Sequence, residues 1–306
     1  MPQKVILDVD TGGDDAAAIL LAGHHPALEL VAVCAVHGNA PLAVTLDNTL
    51  RVMTAGRLEG VPVYRGAAAP LVGPFAPLLD TQREVLPLPA TALQPQNRRA
   101  VDFLIDYYMG PHGPETVYVP LGSQTNLALA LRMEPRLAKR IPRIVTMAGA
   151  YIEGNTTPSA EFNILADPEA AHIVFTAGIP ITMIGLEVTA QAFVSLADVE
   201  RVRQIGTPWA QAAAVVMERD TRWFIEHLGR DEGQIFDACA VASVIDPGLT
   251  RTQAMHVAIE LTGRHTRGRT VADISGRHAG SLPPNVDVGV HIDRQQFLKI
   301  LMEGLH

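Results

Sequence analysis

The sequence is poor in the residue types and segments that mark several protein classes. It has only two cysteines, Cys34 and Cys239, each within an apolar run, and we expect both to be buried, inert thiols. Basic residues are outnumbered by acidic ones, 24 to 32, which argues against nucleic acid as a partner. No uncharged apolar run approaches the length of a membrane span, and no apolar leader follows Met1, so we expect a cytoplasmic protein without a membrane partner.

What is present is the composition of a large globular domain. The 306 residues are 48% hydrophobic and 18% charged, which supplies ample core without a signature of disorder. Short apolar, β-leaning runs lie at Val5–Val9, Leu28–Val36, Val61–Tyr64, Thr116–Leu121, Ile141–Ala148, Ile179–Ile184, Met255–Leu261 and Val286–Ile292. Helical patterns lie at Ala16–Ala22, Thr45–Ala55, Arg98–Met109, Leu127–Met133, Leu196–Ile205, Trp209–Leu228 and Ala238–Ile245. This alternation predicts an α/β fold, an open, mostly parallel sheet with helices on both faces, and no linker divides residues 1–306 into more than one domain.

The run Asp8-Val9-Asp10-Thr11-Gly12-Gly13-Asp14-Asp15 places four carboxylates beside one predicted turn between a strand and a helix. Asp14 and Asp15 would also suit the first helical turn on their own, where free backbone N–H groups favour negative charge. Asp8 and Asp10 alternate onto one face of the strand and should meet the helix acids. Carboxylates this close repel one another unless a cation compensates, and oxygen ligands suit calcium or magnesium. The run therefore predicts a metal site.

Further polar residues follow the other predicted strands, where ligands bind in an open α/β sheet. They are Asn39, Thr125, Asn126, Asn155, Glu161, Asn163 and Asp237, with Met147 at the end of a strand. Singly, each has an ordinary structural explanation as a helix cap, a turn residue or core filler. Residues 66–97 carry many prolines and little periodicity, which predicts a long loop able to act as a lid.

Five segments in order resemble the markers of the nucleoside hydrolases, the inosine-uridine-preferring nucleoside N-ribohydrolase family, over almost the whole chain. They are the Asp8–Asp15 run, Gly38-Asn39, Leu121-Gly122-Ser123-Gln124-Thr125-Asn126-Leu127-Ala128, the segment from Gly154 to Asn163 with Asp167-Pro168-Glu169 after it, and Asp237-Ala238-Cys239-Ala240. The resemblance implies a Rossmann-like nucleoside hydrolase fold in a homo-oligomer, a dimer or tetramer. It also implies calcium-dependent hydrolysis of the N-glycosidic bond of ribonucleosides to ribose and free base.

The resemblance assigns roles to individual residues as well. Calcium would be held by the side chains of Asp10, Asp15 and Asp237 and the backbone carbonyl of Thr125, and Asp10 would be the general base toward water. Substrate contacts would come from Asp14, Asn39 and Asn163 on the sugar hydroxyls, Asn155 and Glu161 on the 5′-hydroxyl, and Met147 and Phe236.

Two departures from the family pattern concern the leaving base. Many members have a histidine before the last aspartate ligand, and here that position is Phe236. An aromatic ring there would either stack on the base or serve only in packing. Residues 66–97 also lack the His-Gly-x-x-Gly-Leu-Gly stretch that many members carry on a lid, so His37, His112 and His227 are the remaining histidines to examine as acids.

Two other functions fit parts of the sequence. The run from Asp8 to Thr11 also resembles the opening motif of haloacid-dehalogenase-like phosphotransferases, with Asp8 as nucleophile and Asp10 as acid or base. That mechanism needs a lysine after a later strand, and lysine occurs only at positions 4, 139 and 299, none in a suitable turn. A non-catalytic riboside-binding protein would keep the sugar site beside an altered base pocket.

Overall fold

The structure is a computed structural model that describes residues 1–76 and 85–306. Its strands are β1 (Gln3–Val9), β2 (Leu28–Ala35), β3 (Val63–Arg65), β4 (Gln96–Arg99), β5 (Thr116–Pro120), β6 (Ile144–Met147), β7 (Ile181–Ile184), β8 (Phe193–Val194), β9 (Gly233–Gln234), β10 (Thr250–Met255), β11 (Val257–Ile259), β12 (Thr270–Ala272) and β13 (Val286–Ile292). Its α-helices are α1 (Gly13–His24), α2 (Leu42–Ala55), α3 (Ala100–Met109), α4 (Thr125–Met133), α5 (Phe162–Ala166), α6 (Pro168–Phe175), α7 (Leu186–Thr189), α8 (Leu196–Ile205), α9 (Pro208–Leu228), α10 (Phe236–Ile245) and α11 (Arg294–Leu305). Short 3₁₀ helices lie at Gly113–Glu115 and Pro135–Lys139.

The main sheet has the strand order β10-β13-β7-β6-β5-β1-β2-β3-β4 among the described residues. Every neighbouring pair in it is parallel except the edge pair β10–β13. The predicted α/β class with an open, mostly parallel sheet is therefore confirmed. Because β1 lies between β5 and β2, the carboxyl ends of the central strands meet at one edge of the sheet, and β1 ends in the middle of it.

Both faces of the sheet are covered. Leu7 of β1 packs into one apolar cluster with α1, α9, α10 and α11, while its neighbour Ile6 packs into a second cluster with α3, α4 and α6. Burial on both faces explains why the strands appear as continuous apolar runs in the sequence. Cys34 and Cys239 are buried free thiols, and their burial was expected. Cys239 lies in the first of these clusters and Cys34 in the second.

Two of the differences between the structure and the predicted elements lie at the two edges of the main sheet. The run predicted as one strand from Met255 to Leu261 divides after Met255, since the side chain of Asn285 accepts from the N–H of Val257 and donates to its carbonyl. Val257 thereby begins β11, which pairs with β12 outside the main sheet. The predicted helix from Arg98 begins at Ala100, and the exposed residues before it form the edge strand β4.

The predicted loop over residues 66–97 is described in part. Residues 66–76 and 85–95 contain no helix or strand, and β4 begins at Gln96. Residues 77–84 of the predicted lid lie outside the described residues. Within the described chain, no helix combines the length and the apolar character that crossing a membrane requires.

Candidate active site

The turn between β1 and α1 is built around the side chain of Asp15. Its Oδ1 accepts from the backbone N–H of Asp10 at 3.2 Å, and its Oδ2 accepts from the N–H of Gly12 at 2.8 Å. The Asn39 amide, from the turn after β2, approaches Oδ2 at 3.4 Å. Asp15 is therefore a helix cap, as its position alone suggests, and also a link between two strand ends.

The carboxylate of Asp10 lies between two glycines. Its Oδ2 accepts from the backbone N–H of Asn39 at 2.6 Å. A Cβ at Gly38 would lie 2.0 Å from Oδ2, and a Cβ at Gly122 would lie 2.6 Å from Oδ1. Glycine is required at both positions because any side chain would displace the carboxylate.

Three acids converge beside this turn. Asp14 and Asp15 of α1 and Asp237 in the first turn of α10 can each place a carboxylate oxygen within 4.8 Å of the others. Burial, then the charges of Asp14, Asp15 and Asp10, raises the pKa of Asp237 well above its ordinary value. Burial likewise raises the pKa of Asp15 to about 6.

No positive charge compensates this group. None of the ion pairs formed by residues 1–76 and 85–306 involves Asp10, Asp14, Asp15 or Asp237. Buried carboxylates that face one another without a basic partner are the donor set of a hard divalent cation, and the residues fit such an ion. The group of three contains Asp14, which the sequence assigned to the sugar, and does not contain Asp10.

Asp8 does not join the helix acids, contrary to the sequence-based expectation. It is buried, and its carboxylate accepts from the hydroxyl of Tyr118 and, at 2.9 Å, from the side-chain amide of Asn126. These bonds only partly offset burial, which raises the pKa of Asp8 to about 7. The carboxylate of Asp8 is therefore already engaged in hydrogen bonds within the sheet. Lys4 lies at the opposite end of β1, so the residues that a phosphotransferase mechanism needs are not brought together.

Thr125 begins α4 directly above the end of β5 and is held through its side chain. Its Oγ1 donates to Asp167 Oδ2 at 2.7 Å and lies 3.1 Å from His37 Nε2. Ser123 Oγ donates to the carbonyl of His37 at 2.8 Å. The turn after β5 is thus tied to the turn after β2 and to the cap of α6.

Glu161 closes the long connection between β6 and α5. Its two carboxylate oxygens accept from three backbone N–H groups, those of Gly149 at 2.8 Å, Asn163 at 2.8 Å and Ile164 at 3.1 Å. The side chain is 2% exposed. Glu161 therefore caps α5 and fixes both ends of the connection at once.

The remaining predicted sugar contacts lie along the same connection. The side-chain amide of Asn163 donates to the carbonyl of Leu121 at 2.6 Å and to that of Met147 at 3.1 Å, which joins the ends of β5 and β6. Asn155 is exposed, and its Oδ1 accepts from the N–H of Phe162 at 3.0 Å. Asn155 Nδ2 and Asn163 Oδ1 make no hydrogen bond within the described residues, so both remain available to a ligand.

Phe236 stands next to Asp237, at the first position of α10. It is partly buried and packs against the apolar cluster of α1 and α9. Its ring lies 6.1 Å from that of Phe224 on α9, centroid to centroid. The residue is therefore placed beside the acidic group as an aromatic surface.

The three histidines named from the sequence occupy different environments. His112 pairs with Glu115 at the amino-terminal edge of the sheet, away from the acids. His227 stacks on Trp223 of α9 at 5.1 Å. His37 is beside Thr125, and burial lowers the pKa of His37 to about 4, so its ring is neutral near pH 7.

Asp220 of α9 also lies beside the acidic turn, and the sequence did not predict it as a site residue. Its Oδ2 lies 2.0 Å from where a Cβ of Gly13 would be, and its charge contributes to the raised pKa of Asp14. Its Oδ1 accepts from Arg219 Nε at 3.1 Å. The only signal in the sequence was the glycine at the first position of α1, which permits this close approach.

Comparisons with known proteins find relatives over almost the whole length of this chain. The family model "Inosine-uridine preferring nucleoside hydrolase" matches residues 5–299. The inosine-uridine preferring nucleoside hydrolase of Crithidia fasciculata is 39% identical over 311 residues, covering 100% of this chain and 98% of the relative. The pyrimidine-specific ribonucleoside hydrolase RihB of Escherichia coli is 38% identical over 307 residues, covering 98% and 96%. The solved purine-preferring ribonucleoside hydrolase from Gardnerella vaginalis has a TM-score of 0.87 and 31% identity, covering 99% and 98%.

Proposed function

This chain belongs to the inosine-uridine preferring nucleoside hydrolase family and is a hydrolase of N-glycosyl bonds, and on that premise we propose that it is a calcium-dependent nucleoside N-ribohydrolase with Asp10 as general base. The observation that carries the proposal is the group of Asp14, Asp15 and Asp237, of which the last two are buried and none has a basic partner in the ion pairs of residues 1–76 and 85–306. It lies at the sheet edge where α/β folds bind ligands.

Calcium would be held by Asp10, Asp15, Asp237 and the backbone carbonyl of Thr125, and the structure supports Asp14 as a further neighbour of the ion. When bound, the ion supplies Lewis acidity toward water and a template for the sugar diol. Asp10 suits the role of general base because only one of its oxygens, Oδ2, accepts a hydrogen bond within the described chain.

In the proposed reaction Asp10 takes a proton from water as the water oxygen forms a bond to the anomeric carbon. The N-glycosidic bond breaks with its electron pair on the base, and the ribose passes through an oxocarbenium-like state, as in inverting glycosidases. Since Phe236 carries no proton to give, the departing base takes its proton from solvent. A positioned base of this kind contributes roughly 10²–10⁴-fold to the rate.

The sugar would be recognised by hydroxyl contacts. Asp14, Asn39 and Asn163 would bind the ring hydroxyls, and Met147 would lie beneath the ring. A carboxylate has about four lone-pair sites, and three of those on Glu161 are used by backbone N–H groups, which leaves one for a 5′-hydroxyl. Asn155 Nδ2 would donate to the same hydroxyl. Ribosides should react faster than deoxyribosides, because a missing hydroxyl leaves buried polar groups unpaired.

The base preference is proposed from Phe236 alone. The relatives' names include inosine-uridine preferring, pyrimidine-specific and purine-preferring enzymes, so they favour no single base class. Offset stacking on an aromatic ring contributes about 0.5–1.5 kcal/mol beyond buried area, which favours the larger purine ring. We therefore propose inosine as a substrate at least as good as uridine.

The test is the release of ribose from inosine, uridine, 2′-deoxyinosine and 2′-deoxyuridine, with elemental analysis of the same preparation. We expect about one calcium per chain, ribose release from both ribosides, loss of activity after chelation and recovery on adding calcium. Full activity in the chelated, metal-free protein would refute the calcium requirement. Ribose release from none of the ribosides would refute the substrate class.

The cytoplasmic location, the single domain and the homo-oligomeric state stay predictions. Size-exclusion chromatography with light scattering measures the last of these directly. A mass of two or four chains of 32.8 kDa is the expected result.

A further inference from the structure

Asp167 lies outside the group of acids, yet one of its oxygens joins two parts of the site. Its Oδ2 accepts both from Thr125 Oγ1 at 2.7 Å and from the backbone N–H of Leu71 at 2.9 Å. Its Oδ1 accepts from the N–H of Ala170 at 3.0 Å and so caps α6. Asp167 is 0% exposed, so its carboxylate depends on these three donors and has no contact with bulk water.

Counting hydrogens determines the direction of the next bond. Thr125 Oγ1 has one hydrogen, which it gives to Asp167. His37 Nε2 lies 3.1 Å from the same oxygen and can bond to it only as a donor, because that oxygen has no second hydrogen. Ser123 Oγ gives its own hydrogen to the carbonyl of His37. Thr125 is therefore held from two sides through its hydroxyl, while its backbone carbonyl makes the contact proposed for calcium.

The same two partners also contact residues 66–76. Asp167 accepts from Leu71, and the ring of His37 meets that of Phe75 edge to face at 5.8 Å. The position of this segment and the position of Thr125 therefore depend on the same two side chains.

We propose that Asp167 is a positioning residue for calcium: by accepting from Thr125 Oγ1 and Leu71 N–H on one oxygen, it fixes the Thr125 carbonyl and ties it to residues 66–76. The inference rests on the proposed calcium site and adds a residue to which the family resemblance assigned no role. Partners that orient a metal ligand typically change metal affinity by about 10- to 100-fold when removed.

Asp167→Asn removes one of the two acceptor oxygens of Asp167 and nearly preserves the size of the side chain. Asparagine caps helices about as well as aspartate, so Oδ1 can keep the bond from Ala170. In that orientation the amide nitrogen takes the place of Oδ2, and as a donor it cannot accept from Leu71 or Thr125. Thr125→Val removes the Thr125 bond whichever way the amide turns. Asp293→Asn is the matched control, since Asp293 caps α11 through the N–H groups of Gln295 and Gln296, away from the site.

Thr125→Val removes the same bond from the other side while leaving the backbone carbonyl in place, and Thr125→Ser keeps the hydroxyl. The double variant, Asp167→Asn with Thr125→Val, completes a cycle. If the two residues act through one bond, the double variant should bind calcium about as weakly as the weaker single variant.

The experiment is a calorimetric calcium titration of the chelator-treated, full-length protein and these variants, with thermal unfolding of each in the absence of metal. We expect Kd for calcium to rise roughly 10- to 100-fold in Asp167→Asn and Thr125→Val, and to stay within about threefold of wild type in Thr125→Ser and Asp293→Asn. Wild-type Kd in both Asp167→Asn and Thr125→Val, or losses that multiply in the double variant, would overturn the inference while leaving the calcium site intact. A wild-type protein that takes up no calcium would instead refute the calcium part of the proposed function, and this inference with it. If Asp167→Asn fails to fold, Thr125→Val against Thr125→Ser decides the question alone.

Discussion

Two sets of buried carboxylates lie at the same edge of the sheet and are stabilised in opposite ways. The saturated set, Glu161 and Asp167, accepts at least two backbone N–H donors per side chain, and both oxygens of each carboxylate are used. The unpaired set, Asp10, Asp14, Asp15 and Asp237, is defined by having no basic partner in any ion pair of the described residues; burial, and then the charges of other members, raise the pKa values of Asp10, Asp14 and Asp237. The first set stabilises the backbone around the site, whereas the second set needs a ligand to compensate its charge.

The largest expected effect comes from Asp10→Asn, which removes one charge from the unpaired set and, in our mechanism, the general base. Because asparagine cannot take a proton from water, we expect kcat on inosine to fall by about 10²–10⁴-fold or more, with little change in the unfolding temperature. Steady-state kinetics and circular dichroism melting measure the two quantities. Asp293→Asn should keep the wild-type rate, and a wild-type kcat in Asp10→Asn would remove Asp10 from the mechanism.

Asp237→Asn tests the comparison itself. In the chelated protein it removes one of the mutually repelling charges, so we expect the free energy of unfolding to rise by on the order of 1 kcal/mol. With calcium present the sign should reverse, because a proposed ligand is lost. Denaturant unfolding with and without calcium measures both.

Glu161→Gln is the control from the saturated set. In either orientation the new amide nitrogen faces at least one backbone N–H from which it cannot accept, that of Asn163 or those of Gly149 and Ile164. Stability should therefore fall by about 1–3 kcal/mol whether or not calcium is present. If Asp237→Asn destabilised the chelated protein as Glu161→Gln does, the distinction between the two sets would be wrong.

The smallest expected effect concerns Phe236, which adjoins the unpaired set without adding charge. If its ring stacks on the base, Phe236→Ala should lower kcat/KM for inosine by about 2- to 10-fold, and lower it less for uridine. Inhibition by ribose should be nearly unchanged, and Phe236→His should add an acid and alter the pH profile on both substrates. Equal losses on both bases, or none on either, would mean that Phe236 only packs against α9.

Local signals predicted the elements best where the structure is local. The helix Leu196–Ile205 has the bounds that its pattern predicted, because Ser195 and Asp198 form a capping box before it and Gly206 ends it in the left-handed conformation. The strand Val286–Ile292 was also predicted with its observed bounds. The strand-end rule selected the polar residues that the structure collects at one edge, since that edge follows from the parallel topology.

Contacts between distant residues could not be predicted. The alternation of residues along β1 predicted that Asp8 and Asp10 share a face. It could not predict that Tyr118, 110 positions away, would donate a hydrogen bond to Asp8. Asp220 was missed because it lies within a long helix with no motif, and its place depends on how α9 crosses the first turn of α1. The roles of the individual site residues stay predictions until the variants are measured.

The central place of β1 has a consequence for biosynthesis. β1 is synthesised long before its neighbour β5, which begins at Thr116, and the amide that Asp8 binds lies 118 positions further along the chain. The acidic group needs Asp237 as well, so it is completed only when α10 has been made. Contacts between residues so far apart in sequence form slowly. Until β5 and α10 have been made, the acids at the end of β1 therefore lack their partners from these elements. A chain that stops before α10 would contain most of the sheet and still lack the site.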